Sequence, residues 1–459
     1  MIARILLQSR AAWYALYFSI LLLLSTLVRD ISPQPDLFAH IRDFMPATSN
    51  LGDPLSFATG ALDVYHFGWF TEQNGWLVRL WPPGFMVLEG WVLRLFGIDA
   101  PFILILIVLN CALAAMLLLL VRQSLLLSIP PLYSSLLPLL PFCFSLPRLF
   151  LLQPVGIVLG ECFAIMFFLM AMLLMAQAAR TASWHTAIVA GLLLALAAYF
   201  RSQFEMFIMA MTILAVPSLV FYLCRRLLFQ GPVDMARRRS QTWVAATVIL
   251  ALITCHLSML PWRFATYLDP YAGNMSWVQT SQLVYANAGK TDQQLFAVGG
   301  NWIVYGGGNI ACKLEPAYCG KTDKDLFYRT VVQHMGDWYA HKLANVRHYW
   351  FATLRDFTAP IRTPSLLEIL ESFFYLFCVL SIPPLLWRIR RHPQAAIYWW
   401  FCSSFYAGCF AVFTFVHFET RYFYALKIFS MFNVMLLLGM AWQMRKAADD
   451  SKTITRHAP

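Results

Sequence analysis

The sequence predicts an all-α polytopic membrane protein of about ten transmembrane helices, with a first outer loop carrying amphipathic surface helices and a second long outer loop. Three observations predict it. Only 12% of the 459 residues are charged and 60% are hydrophobic, whereas soluble domains carry about 25% charged residues. The apolar residues fall in blocks near the length that crosses a hydrocarbon core as a helix, the form in which each backbone group is paired within its own segment. The arginines sit in short gaps between these blocks. The net charge of +11 therefore reads as an orientation signal and not as a nucleic-acid-binding stripe.

The apolar blocks run roughly over 12–28, 101–121, 128–146, 155–177, 183–200, 204–224, 242–260, 367–387, 395–416 and 424–443. The first follows Arg4 and Arg10 without a small-residue cleavage site, and so reads as a span and not a signal peptide. The organisation is 1–28 cytoplasmic N-terminus and first span, 29–100 first outer loop, 101–260 helix bundle, 261–366 second outer loop, 367–443 C-terminal spans and 444–459 cytoplasmic tail.

Phe85 to Phe96 is apolar but short, and it contains Glu89 and Arg94. Left uncounted, it puts Arg122, Arg180, Arg225 to Arg239, Arg388 to Arg391, Arg445 and Lys446 all on the cytoplasmic side. Counted as a span, it turns every one of those loops outward, against the positive-inside rule. It is therefore read as an amphipathic helix at the outer leaflet. Both long segments then lie outside, together with the turns near Glu161, Arg201 and His417.

Polar residues at odds with a membrane gather on that face. Asp53-Pro54 is a good helix start, with Asp as cap and Pro next; the same carboxylate can serve as a base at the membrane surface. Asp36 and Asp63 stand in the same loop as alternates. Arg201, Arg263 and Arg421 each sit at an outer boundary, where arginine is expected to be rare. They can snorkel, be paired by Glu161, Glu205 and Glu419, or hold a phosphate with their planar forks. His417 reads as a boundary residue able to donate to a phosphate. Trp76, Trp81, Trp91 and Trp262 read as interfacial anchors, Trp81 also as a cleft residue. Cys312 and Cys319 lie in the polar second loop, where a disulfide can form if it faces an oxidising compartment.

The order of these motifs resembles the GT-C glycosyltransferases, in particular the protein O-mannosyltransferase and aminoarabinose-transferase branch. The residues that carry it are Asp53, Phe57, Ala61, Trp81-Pro82-Pro83-Gly84, Gly160-Glu161, Ala198-Tyr199-Phe200-Arg201, Leu260-Pro261-Trp262-Arg263 and Glu419-Thr420-Arg421-Tyr422. One departure is that Asp53 is followed by Pro where that branch often has an acid pair. The resemblance implies an inverting transfer of a sugar from a polyprenyl-phosphate donor to a lipid, glycan or protein acceptor at the outer face; with no eukaryotic retention signal at Ala458-Pro459, a bacterial inner membrane with the site facing the periplasm is expected. Asp53 would be the base. Arg201, Arg263 and Arg421 would meet the leaving phosphate, with Glu161, Glu419, Tyr422, Trp81 and His417 around the substrate. No metal or cofactor is expected. The alternative class is a transporter or flippase of lipid-linked saccharides, which often shows inverted repeats; none is visible here.

Overall fold

The computed structural model describes residues 9–27, 38–42, 53–152 apart from 76, 79 and 80, 160–228, 235–267, a few positions between 336 and 352, 363–392, 394–415 and 420–456. The described residues form helices and turns, with no strand among them. The helices are α1 (Arg10–Leu27), α2 (Asp53–Phe67), α3 (Gly84–Phe96), α4 (Phe102–Leu125), α5 (Glu161–Thr181), α6 (Trp184–Phe200), α7 (Gln203–Leu228), α8 (Met235–Tyr267), α9 (Leu366–Arg388), α10 (Ala395–Phe415) and α11 (Thr420–Arg456), with a broken segment, Pro131–Leu152, between α4 and α5. Six helices are long and apolar enough to cross a membrane, and seven if the broken segment counts as one; α1, α6 and the first part of α7 are shorter apolar helices.

The expected block 128–146 is not one straight helix. Pro131–Leu136 is α-helical, Leu137–Cys143 is 3-10, and the chain bends by 87° before Ser145–Leu152. Pro138 and Pro141 remove backbone donors from the 3-10 stretch, which an α-helix would need for its i to i−4 bonds. The segment still runs from one end of the bundle towards the other. Ser135 accepts from Tyr17 Oη (2.8 Å) and Arg122 Nε (2.9 Å), whereas the Phe150 ring meets that of Tyr424, near the start of α11, at 5.5 Å. At the bend, Glu371 of α9 accepts from the backbone N–H of Ser145 (3.1 Å) and from its hydroxyl.

Two boundaries also move. α8 continues to Tyr267, so Pro261-Trp262-Arg263 lies inside a helix and not at a loop entrance; Pro261 is tolerated there late in the helix. α11 continues to Arg456, so most of the expected 444–459 tail is the helical continuation of the last span.

The helices α5 and α11 are the core of the bundle: 78% and 83% of their apolar windows are buried, against 28% for α8 and 33% for α9. In α5, Phe168 lies within 6.0 Å, ring centre to ring centre, of Phe204, Phe207, Phe401, Phe405 and Phe429, which ties it to α7, α10 and α11. Gly191 lets α6 approach α8 until only its hydrogen fits against the Ala251 carbonyl.

Helix α3 packs on α2 by burying Phe85, Met86, Glu89, Gly90, Val92 and Leu93, and it turns Trp91, Leu95 and Phe96 outward. Its outer face is therefore largely apolar, with Arg94, which donates to the Tyr65 carbonyl (3.0 Å), as an exposed charge upon it, and its one carboxylate is buried. Burial raises the Glu89 carboxyl well above the usual carboxylate range, and its Oε2 has no hydrogen-bond partner among the described residues. The folded protein holds this proton at pH values where the unfolded chain has released it. Stability from this group is therefore present below about pH 4.5 and falls as pH rises above it, by up to about 1.4 kcal/mol per pH unit. Glu89→Gln removes that dependence. The variant is expected to gain in melting temperature over the parent between about pH 5 and pH 8, and parallel pH dependences of the two would show that the buried carboxyl is not the cause.

Candidate functional site

The site is built where α5, α6 and α11 begin or end together. Gly160 caps α5 and Glu161 is its first residue, a position where a carboxylate faces the positive end of the helix dipole. α6 ends at Phe200, and Arg201 leaves it in an extended conformation, which breaks the helix and turns its side chain towards α5. Arg421 lies in the first turn of α11, an unfavourable place for a cation by the dipole alone. The carboxylate compensates: Glu161 Oε1 is 3.0 Å from Arg201 Nε and 3.4 Å from Arg421 Nη1. All three residues are buried, at 2%, 6% and 5% exposure. Arg421 also sits over the Tyr422 ring at 5.9 Å. Glu161 Oε2 carries no hydrogen bond from the described residues. Two guanidinium groups thus converge on one carboxylate oxygen at one end of the bundle, leaving one net positive charge in the buried trio.

The Trp81-Pro82-Pro83-Gly84 stretch is packed against the same turn. A methyl group on Gly84 would lie 2.6 Å from the Tyr199 carbonyl oxygen, and one on Gly160 would lie 2.5 Å from that of Phe200. Both glycines therefore abut the two residues before Arg201. A run of edge and tilted ring contacts reinforces this: Trp81 with Phe57 (6.0 Å), Phe57 with Phe85 (5.8 Å), and Phe85 with Phe163 (5.8 Å) and Phe200 (6.1 Å). Trp262 closes the group, donating to the Val78 carbonyl (3.2 Å) and meeting the Tyr199 ring at 5.7 Å. Four motifs far apart in sequence meet around the Tyr199-Phe200-Arg201 turn.

Arg263 belongs to a neighbouring network. It donates to Glu205 Oε1 through Nε (3.1 Å) and Nη2 (2.8 Å) and to His256 Nδ1 through Nη1 (3.1 Å). With its Nδ1 accepting, His256 directs Nε2 to Thr212 Oγ1 at 2.9 Å. The Arg263 and Glu205 side chains are 34% and 30% exposed, so this pair is reachable from outside whereas the Glu161 cluster is not. The expected partnerships of Glu161 and Glu205 with arginines are both present.

The three candidate acids have different positions. Asp53 is the first residue of α2, one turn before Phe57; its side chain, on which the cap reading depends, and Asp36 altogether lie outside the described residues. Asp63 is 7% exposed and is committed to structure. It accepts from the Thr71 N–H (2.9 Å), the Thr71 hydroxyl (2.7 Å) and the Asn74 amide (3.1 Å), and so holds the turn after α2. His417, Glu419, Cys312, Cys319 and Trp76 also lie outside the described residues.

One polar group went unread. Lys427 is 2% exposed inside α11. Its ammonium donates to the Trp350 carbonyl (2.7 Å) and lies 4.9 Å from the Trp350 ring, 5.6 Å from that of Tyr375 and 6.0 Å from that of Tyr424. Tyr375 in turn donates to Glu371 (3.2 Å), the residue that holds the bend at Ser145. A single lysine inside an apolar span is the signal that could have found it. This cluster fastens the chain just before α9 to α11. No family model matches the chain, and no curated protein matches its sequence.

Proposed function

We propose that the protein is a membrane glycosyltransferase of the GT-C type, transferring a sugar from a polyprenyl-phosphate to an acceptor at the outer face of the membrane with inversion at the anomeric carbon. The observation that carries this reading is the convergence of Arg201 and Arg421 on Glu161, beneath the turn against which Gly84 and Gly160 are packed. In the ten-helix reading six crossings separate the two long segments, with the broken segment Pro131–Leu152 as one of them, so that both would lie on the same side as this cluster and the arginine-rich turns on the other.

The chemistry follows from the donor. A polyprenyl tail lies in the bilayer, which sets the anomeric carbon at the interface. There the acceptor hydroxyl needs a base, and the departing lipid phosphate gains negative charge that a nearby cation stabilises. Asp53, at the start of α2, is the base. Arg201 and Arg421 would supply positive potential from within the fold, and the one-third-exposed Arg263, held by Glu205 and His256, would touch the phosphate directly; its exposure supports that role. Trp81 and Tyr422 are proposed to line the substrate side, His417 and Glu419 are carried as substrate contacts from the sequence alone, and no metal is needed for this scheme.

The test compares cells lacking the protein with cells carrying it or a variant, by mass spectrometry of envelope lipids, glycans and proteins. A sugar modification lost with the protein identifies the acceptor. Asp53→Asn is expected to lower its formation by about 10²- to 10⁴-fold, the usual worth of a general base. Asp63→Asn is expected to retain the chemistry and lose thermal stability. Full transfer by the Asp53 variant would overturn its assignment. Movement of a lipid-linked saccharide across proteoliposomes, with no transfer by the parent, would favour a flippase instead.

A further inference from the structure

The opposite end of the bundle carries a second feature that the transfer reaction does not use. Arg180 lies near the far end of α5 from Glu161, about 30 Å away at 1.5 Å per residue, and Gln443 and Met444 lie correspondingly far along α11 from Arg421. Between them is a cleft of about 810 Å³, lined by Arg180, Arg391, His392, Gln394 and Gln443 and walled by apolar residues that include Trp243 and Met444. A smaller cavity of about 280 Å³ shares Arg180 and Gln394 and adds Arg10 and Arg122. Among the described residues, no acidic side chain lines either.

The floor of the cleft is a hydrogen-bonded network. Gln443 Oε1 accepts from Ser128 Oγ (3.1 Å) and lies 3.2 Å from His392 Nε2. His392 Nδ1 accepts from the Gln394 N–H (3.3 Å), and the Gln394 side chain donates to the Ala176 carbonyl (3.0 Å). Burial lowers the His392 pKa, which favours the neutral ring that this pattern requires. Four chain segments are thereby fixed around the opening. Arg122 is committed to Ser135 and the Trp13 ring, while Arg10, Arg180 and Arg391 are exposed and make no ion pair among the described residues.

Arginines that only set orientation need no shaped recess. Here they rim a concave site with a polar floor and an apolar wall containing a tryptophan, which is the make-up of a pocket for a lipid headgroup and the first part of its chains. We propose that this cleft binds the phosphate headgroup of an anionic phospholipid, gripped by Arg180 and Arg391, with its acyl chains against Trp243 and Met444. The site is separate from the proposed transfer site, and its occupancy is read without any transfer reaction.

The test uses the purified full chain in neutral detergent and native mass spectrometry with added phosphatidylglycerol, phosphatidylcholine or inorganic phosphate. Phosphatidylglycerol is expected to be retained in preference to phosphatidylcholine. Arg180→Gln or Arg391→Gln alone should weaken retention about 5-fold, and the double variant on the order of 30-fold. Arg445→Gln with Lys446→Gln, at the same end but outside the cleft, should change it by less than 2-fold. An equal loss in that control pair would reduce the effect to general charge and overturn the proposal. So would equal retention of phosphatidylcholine. Thermal protection by inorganic phosphate matching that by the lipid would overturn the lipid as occupant and assign the cleft to a free anion.

Discussion

Glu161→Gln is expected to be among the most damaging single substitutions in the chain. The amide fills the same volume, so packing is unchanged, but the charge between Arg201 and Arg421 is gone. Two guanidinium groups at about one-twentieth exposure then face each other where water screens them little. Removing one partner of a buried ion pair costs about 3–5 kcal/mol, and a whole domain is stable by only about 5–15 kcal/mol. The variant should accumulate poorly and lose its monodisperse peak on size exclusion at temperatures the parent survives. Adding Arg421→Gln should recover part of the loss, because the second change removes the repulsion created by the first, and such coupling is what a double-mutant cycle reads. A Glu161→Gln protein that melts with the parent would show that the carboxylate does not hold the two arginines.

Gly160→Ala and Gly84→Ala are expected to follow closely. A methyl at either position meets a backbone carbonyl oxygen of residues 199–200 at 2.5–2.6 Å, well inside van der Waals contact. A side chain could rotate away; a carbonyl at the end of α6 cannot, since the Ala197 carbonyl already accepts the Arg201 N–H there (3.1 Å). The methyl must therefore push α3 or the start of α5 off the Arg201 turn. Overpacking of this kind typically costs about 1–3 kcal/mol, occasionally more. Gly97→Ala gives the contrast: its methyl would meet nothing within 4 Å, and only its positive φ of 90° opposes the change. Thermal melting of the three variants side by side checks this, and equal small losses at all three would mean that the α6 end yields.

Much of the bundle was legible because the bilayer imposes a length and a composition on each crossing, and both are written locally. The blocks at 101–121, 183–200, 367–387 and 395–416 correspond to α4, α6, α9 and α10 within a few residues. The broken segment was not legible as broken. Pro138 and Pro141 were in view, but the bend also depends on Glu371, more than two hundred residues away, to hold the N–H of Ser145. The apolar block of α8 ends at Leu260, and nothing local says that the helix itself continues past Pro261 to Tyr267.

The site was legible in part for a related reason. An arginine at an outer boundary stands out against the charge rule for membranes, and so Arg201, Arg263 and Arg421 could be singled out. Their partners could be named as a set but not matched, since nothing local says that Glu161 takes two arginines and Glu205 one. Lys427 and His256 each lie within an apolar span, and what each touches is set elsewhere in the fold: the Trp350 carbonyl for the lysine, and Thr212 of α7 together with Arg263 two turns further along α8 for the histidine.

The contacts from Phe57 through Phe85 to Phe200 have a mechanical consequence. They join the helix that begins with Asp53 to the turn that presents Arg201 through packed rings, so that the proposed base and the proposed cation would move together. Admission and release of a bulky lipid would then have to come from the looser flank, where α8 carries the one-third-exposed Arg263. Catalytic spacing would be set once, at folding, and not remade in each cycle.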